Sequence, residues 1–173
     1  MKPLALAAMI TTTMAVAACD YGPTEPDMDT VVFTASLTAA SEVPAVTGPE
    51  ANATGTITIT MEVTRNSADA VTAAEANFSG SVANMPAGSS LTLAHIHTGA
   101  VGVVGGPVVN VGLTPATAIP IVNGGATLTF NDITVEPGVA EDIIDNPAGF
   151  YFNVHSALNP GGVARGQLVR QGS

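Results

Sequence analysis

The feature of this sequence that most restricts its fold is a series of short runs in which apolar and polar residues alternate. The stretch ATGTITITMEVT, residues 53–64, is the clearest, with apolar residues at every second position: Ile57, Ile59, Met61 and Val63. Successive side chains of a strand leave opposite faces of a sheet. The alternation therefore predicts a strand that buries one face and exposes threonines on the other.

Comparable runs rich in Val, Ile, Thr and Phe recur along the chain, with Gly, Pro, Asn and Asp between them. They predict strands near 31–38, 53–64, 73–83, 90–97, 107–113, 120–123, 126–131, 149–156 and 163–170. One stretch, EPGVAEDIIDNPAG, has helical spacing and ends at a proline, which predicts a short helix near 138–145. About eight or nine short strands predict an all-β fold, either an antiparallel Greek-key sandwich or a flattened barrel.

Residues 1–18 are predicted to be a signal peptide. They have a positive charge at Lys2, an apolar stretch from Leu4 and small residues before Cys19, which is the layout of a secretory signal. The residues Val16-Ala17-Ala18-Cys19 resemble the lipobox of bacterial lipoproteins, in which the signal is cut before the cysteine. The resemblance implies that Cys19 carries a lipid.

The chain has one cysteine, so no disulfide can form within it. Residues 19–30 are acidic, include two prolines and show no periodicity, and they predict a flexible tether. Residues 31–171 are predicted to form one domain. Together these features predict an extracytoplasmic protein that is anchored to a membrane of a bacterial cell envelope by lipid and does not span it.

Acidic residues dominate the charge: there are 14 Asp and Glu against four Lys and Arg, and the formal net charge is −10. A nucleic-acid-binding protein needs basic stripes to displace the counterions of phosphate, so we expect no nucleic-acid partner. Anionic lipid headgroups would also repel the chain, and the lipid is expected to be its only membrane contact. A protein partner in the envelope and the oligomeric state are left open.

Three histidines are the candidate ligands for a metal ion. His95 and His97 lie two apart on a predicted strand, so their side chains leave the same face, and His155 closes another strand, FYFNVHS. Neutral imidazole is a common ligand of zinc and copper. The alternative is structural, because imidazoles can also bond to backbone carbonyls and hydroxyls without any ion. We expect the three rings to form one cluster in either case.

Gly99, Gly106 and Arg165 are interpreted as structural residues. Gly99 and Gly106 follow His97 without a helix after them, which favours turns over a phosphate-binding loop. Arg165 is one of few cations among many acids, and a carboxylate partner is expected, with Glu42 as the candidate. No nucleophile motif or paired carboxylates of a hydrolase stand out.

Three segments resemble the signatures of the CHRD domain, named after chordin: LTAASEVPAV, AHIHTGAVGVVGGPVV and FYFNVHSALNPGGVARGQL. The resemblance covers about residues 31–171 and implies an all-β domain. Such domains are repeated in animal chordins, which antagonise bone morphogenetic proteins, and stand alone in secreted or anchored bacterial proteins of undefined role. The matching positions are Glu42, Val43, Pro44, His95, His97, Gly99, Gly106, Pro107, Asn153, His155, Gly161, Gly162, Arg165 and Gly166.

The chain departs from this pattern at its last signature. Members of the family usually have Gly-Gly-Glu-Ile-Arg-Gly-Gln, whereas this sequence has GGVARGQ, with Val163 in place of the glutamate and Ala164 in place of the isoleucine. Any role that needs that carboxylate is absent here.

Two hypotheses for the function follow. The first is a non-enzymatic binding or structural module of the cell envelope, anchored by lipid, with an unidentified partner. The alternative is a three-histidine copper or zinc protein, similar in its His-x-His strand to copper/zinc superoxide dismutase. A full dismutase site needs at least six histidines, and this chain has three, so a single metal site is all that it could build.

Overall fold

The computed structural model describes residues 27–172. The predicted signal peptide, Cys19 and most of the predicted tether lie outside the described residues. The first strand begins at Asp27, earlier than the predicted start at Val31, because Asp27–Thr30 pairs with the second strand, opposite Arg65 to Glu62. An ion pair of 3.3 Å between Arg65 Nε and Asp29 Oδ2 adds to this pairing.

The described residues confirm the predicted all-β fold. The strands are β1 (Asp27–Thr38), β2 (Thr54–Arg65), β3 (Val71–Ala83), β4 (Ser90–Thr98), β5 (Pro107–Asn110), β6 (Ile119–Pro120), β7 (Ala126–Val135), β8 (Phe150–Ser156), β9 (Ala164–Gln167) and β10 (Val169–Arg170). They form an antiparallel sheet in the order β5-β4-β8-β9-β1-β2-β3-β7, with β6 paired to β4 and β10 to β1. The sheet is nearly closed into a barrel.

The apolar side chains of both halves of this sheet meet in one core. Alternate residues of β2 point inward as predicted, and Ile59 and Met61 are fully buried. The rings of Phe78 on β3 and Phe152 on β8 lie 5.8 Å apart, centroid to centroid. Strands β3 and β8 are four places apart in the sheet order, so this contact shows that the sheet folds over and packs against itself, as in a flattened barrel.

The predicted helix forms as α1 (Pro137–Asp145). Proline at its first position leaves no hydrogen bond unmade, since the first amides of a helix have no partner within it. Ala140, Ile143 and Ile144 are its buried residues. Residues 27–172 contain no helix that is long and apolar enough to cross a membrane.

Strand β8 is buried along its whole length, which is unusual for a sheet with one face toward solvent. Phe152 and Val154 belong to the apolar core. Tyr151, Asn153 and His155 leave the opposite face, and they are also buried. Loops of the chain must therefore cover the outer face of β8, and the candidate site lies beneath these loops.

Candidate metal centre

The structure brings the three histidines together on the outer face of β4 and β8. These strands are antiparallel neighbours, and their register pairs His95 with Asn153, His97 with Tyr151 and Leu93 with His155. Paired residues share a face of the sheet. One candidate ligand nitrogen from each ring lies within 4.8 Å of those of the other two rings.

All three rings are buried, with 9% of His95, 9% of His97 and 6% of His155 exposed. The sheet alone cannot cover them, because β4 and β8 present them on the face opposite the apolar core. The segment between β4 and β5 covers His97, and the segment between β8 and β9 covers His155, as shown by the hydrogen bonds that each makes to the rings.

Two of these hydrogen bonds determine which nitrogen carries the proton. His97 Nδ1 donates to the carbonyl oxygen of Gly105 at 3.0 Å, and His155 Nδ1 donates to the carbonyl oxygen of Pro160 at 2.9 Å. A carbonyl can only accept a hydrogen bond, so both neutral rings carry their proton on Nδ1. Their Nε2 atoms are left with free lone pairs.

The Nε2 atoms of His155 and His97 differ in whether another group can hydrogen-bond to them. His155 Nε2 lies 3.2 Å from His95 Nδ1 and can accept a hydrogen bond from it when no ion is bound. His97 Nε2 is sealed from solvent and has no hydrogen-bond partner. Buried polar atoms without a partner are rare, because such an atom has lost its water without gaining another bond. The lone pair of His97 Nε2 is therefore free to bind an ion held between the three rings.

The electrostatics of the site keep the rings neutral. Burial, with smaller effects of His155 and His97, lowers the pKa of His95 from 6.5 to about 4. Burial also lowers the pKa of His97 and His155 below 6.5. A metal ion binds the neutral imidazole, so ligation at neutral pH requires no loss of ring protons to water.

The donor set fits a borderline metal ion. Imidazole nitrogens suit zinc and copper, and three protein ligands leave a coordination position for water or another molecule. Histidine ligands of metal ions usually donate the second ring N–H to a carbonyl or carboxylate, which fixes the ring orientation. His97 and His155 already have this arrangement.

Behind His97 lies a stack of two further side chains. The ring of Tyr151 is stacked on His97 with centroids 5.0 Å apart, and the guanidinium carbon of Arg165 lies 4.5 Å from the Tyr151 centroid. Asn153 on β8 is paired with Arg165 on β9 and with His95 on β4. Asn153 therefore lies between the histidines of β4 and Arg165. The stack limits the movement of the His97 ring.

The predicted ion pair between Arg165 and Glu42 does not form. Arg165 donates instead from Nε to the carbonyl oxygen of Ser41 at 2.6 Å and from Nη1 to that of Val103 at 3.0 Å. Asn153 Nδ2 donates to Glu42 Oε1 at 3.1 Å. The two charged groups are thus held by neutral partners, and sequence composition could not have shown this.

The other matched positions shape the loops around the site. The backbone of Gly162 has a φ of +139°, and a Cβ there would lie 2.7 Å from Glu42 Oε1, so only glycine fits. Pro107 begins β5 opposite His97. Gly166 lies in β9, where a Cβ would clash with the backbone of Ser36 on β1. The remaining matched residues lie outside the strands: Val43, Pro44, Gly99, Gly106 and Gly161.

Glu50 was not identified from the sequence, and its hydrogen bonds hold the segment that orients His155. Its side chain is fully buried and accepts hydrogen bonds from Ser89 Oγ at 2.6 Å, from Ser156 Oγ and from Asn159 Nδ2 at 2.6 Å. Asn159 precedes Pro160, whose carbonyl orients His155. Nothing in the local stretch TGPEAN marks this glutamate as buried, since it lies in a short turn before β2.

A comparison with models of protein families matches the chain to the CHRD domain over residues 33–168. The match includes all three histidines, Glu50 and Arg165. No curated protein and no solved structure matches the chain.

Proposed function

Since this chain belongs to the CHRD domain family, we propose that it is an extracytoplasmic, lipid-anchored module that binds one copper or zinc ion through His95, His97 and His155. The proposal joins the two sequence hypotheses, because a module of the cell envelope can contain a metal site. The support for the ion comes from the geometry of the histidines, and that for the anchor comes from the sequence of residues 1–19.

The observation that carries the metal proposal is the unpartnered Nε2 of His97. Its lone pair lies with the nitrogens of His95 and His155 inside a cluster only 4.8 Å across. Leaving a buried acceptor unsatisfied costs about 1–3 kcal/mol, and a bound cation would remove this cost. Ligation would also replace the bond from His95 Nδ1 to His155 Nε2, which the ring nitrogens make without an ion.

The residues around the site would each contribute differently to binding the ion. His97 and His155 present Nε2 because Gly105 and Pro160 hold their Nδ1 protons, and Tyr151 packs against the face of His97. The bound ion would supply a Lewis-acidic position for water or a ligand. The covering loops restrict which molecules reach it.

The first prediction is that the protein binds close to one equivalent of copper or zinc. Protein purified without a polyhistidine tag should contain the ion by elemental analysis, and the metal-free protein should bind added Zn²⁺ or Cu²⁺ with a 1:1 endpoint. Binding to the folded state should raise the melting temperature. A metal content near zero together with no saturable binding would exclude the metal site and leave the structural module.

The second prediction concerns the anchor. Replacing Cys19 with serine removes the only thiol of the chain, so it should release the protein from the membrane fraction or leave its signal uncut. Fractionation of cells that express the wild type and the variant would measure this, with Ser36→Ala as a control that keeps the lipobox. An unchanged membrane fraction together with normal cleavage of the signal in Cys19→Ser would refute lipid attachment.

A further inference from the structure

Arg165 is a buried cation that makes no ion pair with a neighbouring acid. Only 2% of its surface is exposed, and within residues 27–172 no carboxylate oxygen forms an ion pair with it, since the ion pairs of that part involve Arg65. Its neighbours are two carbonyl oxygens and the face of Tyr151. Burying an uncompensated charge is costly, and buried charges in proteins are normally paired.

The guanidinium has donors left over. It carries five N–H bonds, and the two acceptors that it meets are the carbonyl oxygens of Ser41 and Val103. Nη2 makes no hydrogen bond with the described residues. It is also not among the buried atoms sealed without a partner, which are His97 Nε2 and Asn153 Oδ1. Its free edge therefore reaches space that a ligand can enter.

That space is a groove of about 340 Å³ beside Arg165. The chain before and after Glu42 forms one wall, and Val101 and Gly102 of the loop between β4 and β5 form the other. Val43 and Val101 are exposed large apolar residues at its edge, and Val101 is 81% exposed. The groove thus has a cationic base and an apolar rim.

The presence of Glu42 disfavours doubly charged anions in this groove relative to singly charged ones. Glu42 also lines this groove, and burial raises the pKa of its carboxyl group to about 7 although the charge of Arg165 lowers it. A dianion such as phosphate would be repelled more strongly by this group than a monoanion. The formal net charge of −10 on the whole chain acts in the same direction.

We propose that this groove binds a monoanionic carboxylate through Arg165, with a small apolar group of the ligand against Val43 and Val101. A planar carboxylate matches the guanidinium edge and would supply a counter-charge in direct contact with it, which Glu42 does not. The site is distinct from the histidine cluster, because the Tyr151 ring separates Arg165 from His97. Such a carboxylate can come from a short fatty acid or from the C-terminus of a peptide.

The test uses the metal-free protein, so it is independent of the metal proposal. Sodium butyrate, a four-residue peptide ending in valine, the same peptide with an amidated C-terminus, and sodium phosphate are titrated at constant ionic strength. The amide signal of Gly102 and the Nε–H signal of Arg165 are followed by NMR. We expect saturable shifts with butyrate, with the free-acid peptide or with both, and the tighter of the two identifies the source of the carboxylate.

A variant at the rim tests the site without disturbing the buried arginine. Val101→Asp places a negative charge at the mouth of the groove and should weaken carboxylate binding about fivefold or more. The matched control is Val122→Asp, because Val122 is 64% exposed and lines a different cavity. Equal binding by wild type and Val101→Asp, saturation by the amidated peptide, phosphate binding as tight as carboxylate binding, or no saturable shift would each overturn the proposal.

Discussion

Replacing Glu50 with alanine is expected to lower the free energy of unfolding by about 4 kcal/mol, the largest effect that we predict for a single substitution. The carboxyl group is fully buried and accepts from Ser89, Ser156 and Asn159. Alanine leaves these three donors without an acceptor and opens a cavity. Each buried donor left without an acceptor costs about 1–3 kcal/mol, so three such donors account for a loss of this size.

Urea denaturation at neutral pH measures this loss. Glu136→Ala is the matched control, because Glu136 is exposed and its side chain makes no capping hydrogen bond to α1. Glu50→Gln should fall between the two, since its amide oxygen keeps one acceptor. If Glu50→Ala unfolds at the same urea concentration as Glu136→Ala, the buried network does not stabilise the fold.

The loss of stability should be accompanied by a loss of metal binding. Glu50 accepts a hydrogen bond from Asn159, and the carbonyl of the next residue, Pro160, accepts a hydrogen bond from His155 Nδ1. Without this anchor the loop between β8 and β9 can move, and His155 can change its tautomer or orientation. Outer partners of metal ligands contribute about 10–100-fold to affinity, so we expect a decrease of that size in folded Glu50→Ala protein.

Replacing His97 with alanine is expected to weaken binding of copper or zinc about 100-fold or more. The substitution removes the one ligand whose Nε2 has no other partner in the site. Loss of an outer hydrogen bond alone costs up to about 100-fold, and loss of the ligand itself should cost at least as much. Because His97 is buried without a partner for Nε2, the metal-free variant should lose less stability than a buried alanine substitution usually causes.

Competition with a chelator of known affinity measures this change. Ile59→Val is the control, because Ile59 lies in the core on β2 and its truncation lowers stability without touching the histidines. Metal affinity should be unchanged in that control. Equal affinities in wild type and His97→Ala would show that the ion, if bound, is held elsewhere.

The local pattern of the sequence was sufficient for most of the secondary structure and for part of the site, although the run predicted as one strand at 163–170 forms the two short strands β9 and β10. Alternation along β2 predicts a half-buried strand, and the proline after Asn146 predicts the end of α1; both were confirmed. The spacing of two between His95 and His97 puts them on one face of β4 whatever surrounds that strand. These features follow from the geometry of the backbone over a few residues.

Strand order required the tertiary structure. His155 enters the cluster because β8 lies beside β4, although β5, β6, β7 and α1 come between them in the chain. An alternating strand indicates which side is buried but not which strand is its neighbour. The pairing depends on the packing of all the strands around one core.

The partners of the buried polar groups also depended on the tertiary structure. The carbonyl oxygens of Gly105 and Pro160 orient His97 and His155, and every residue has such a carbonyl, so sequence cannot single them out. Arg165 and Glu42 carry opposite charges, but their hydrogen bonds are made with neutral groups, the Ser41 carbonyl and the Asn153 amide. Periodicity and charge thus determined the strands and the candidate residues, whereas the loop conformations decided which atoms meet.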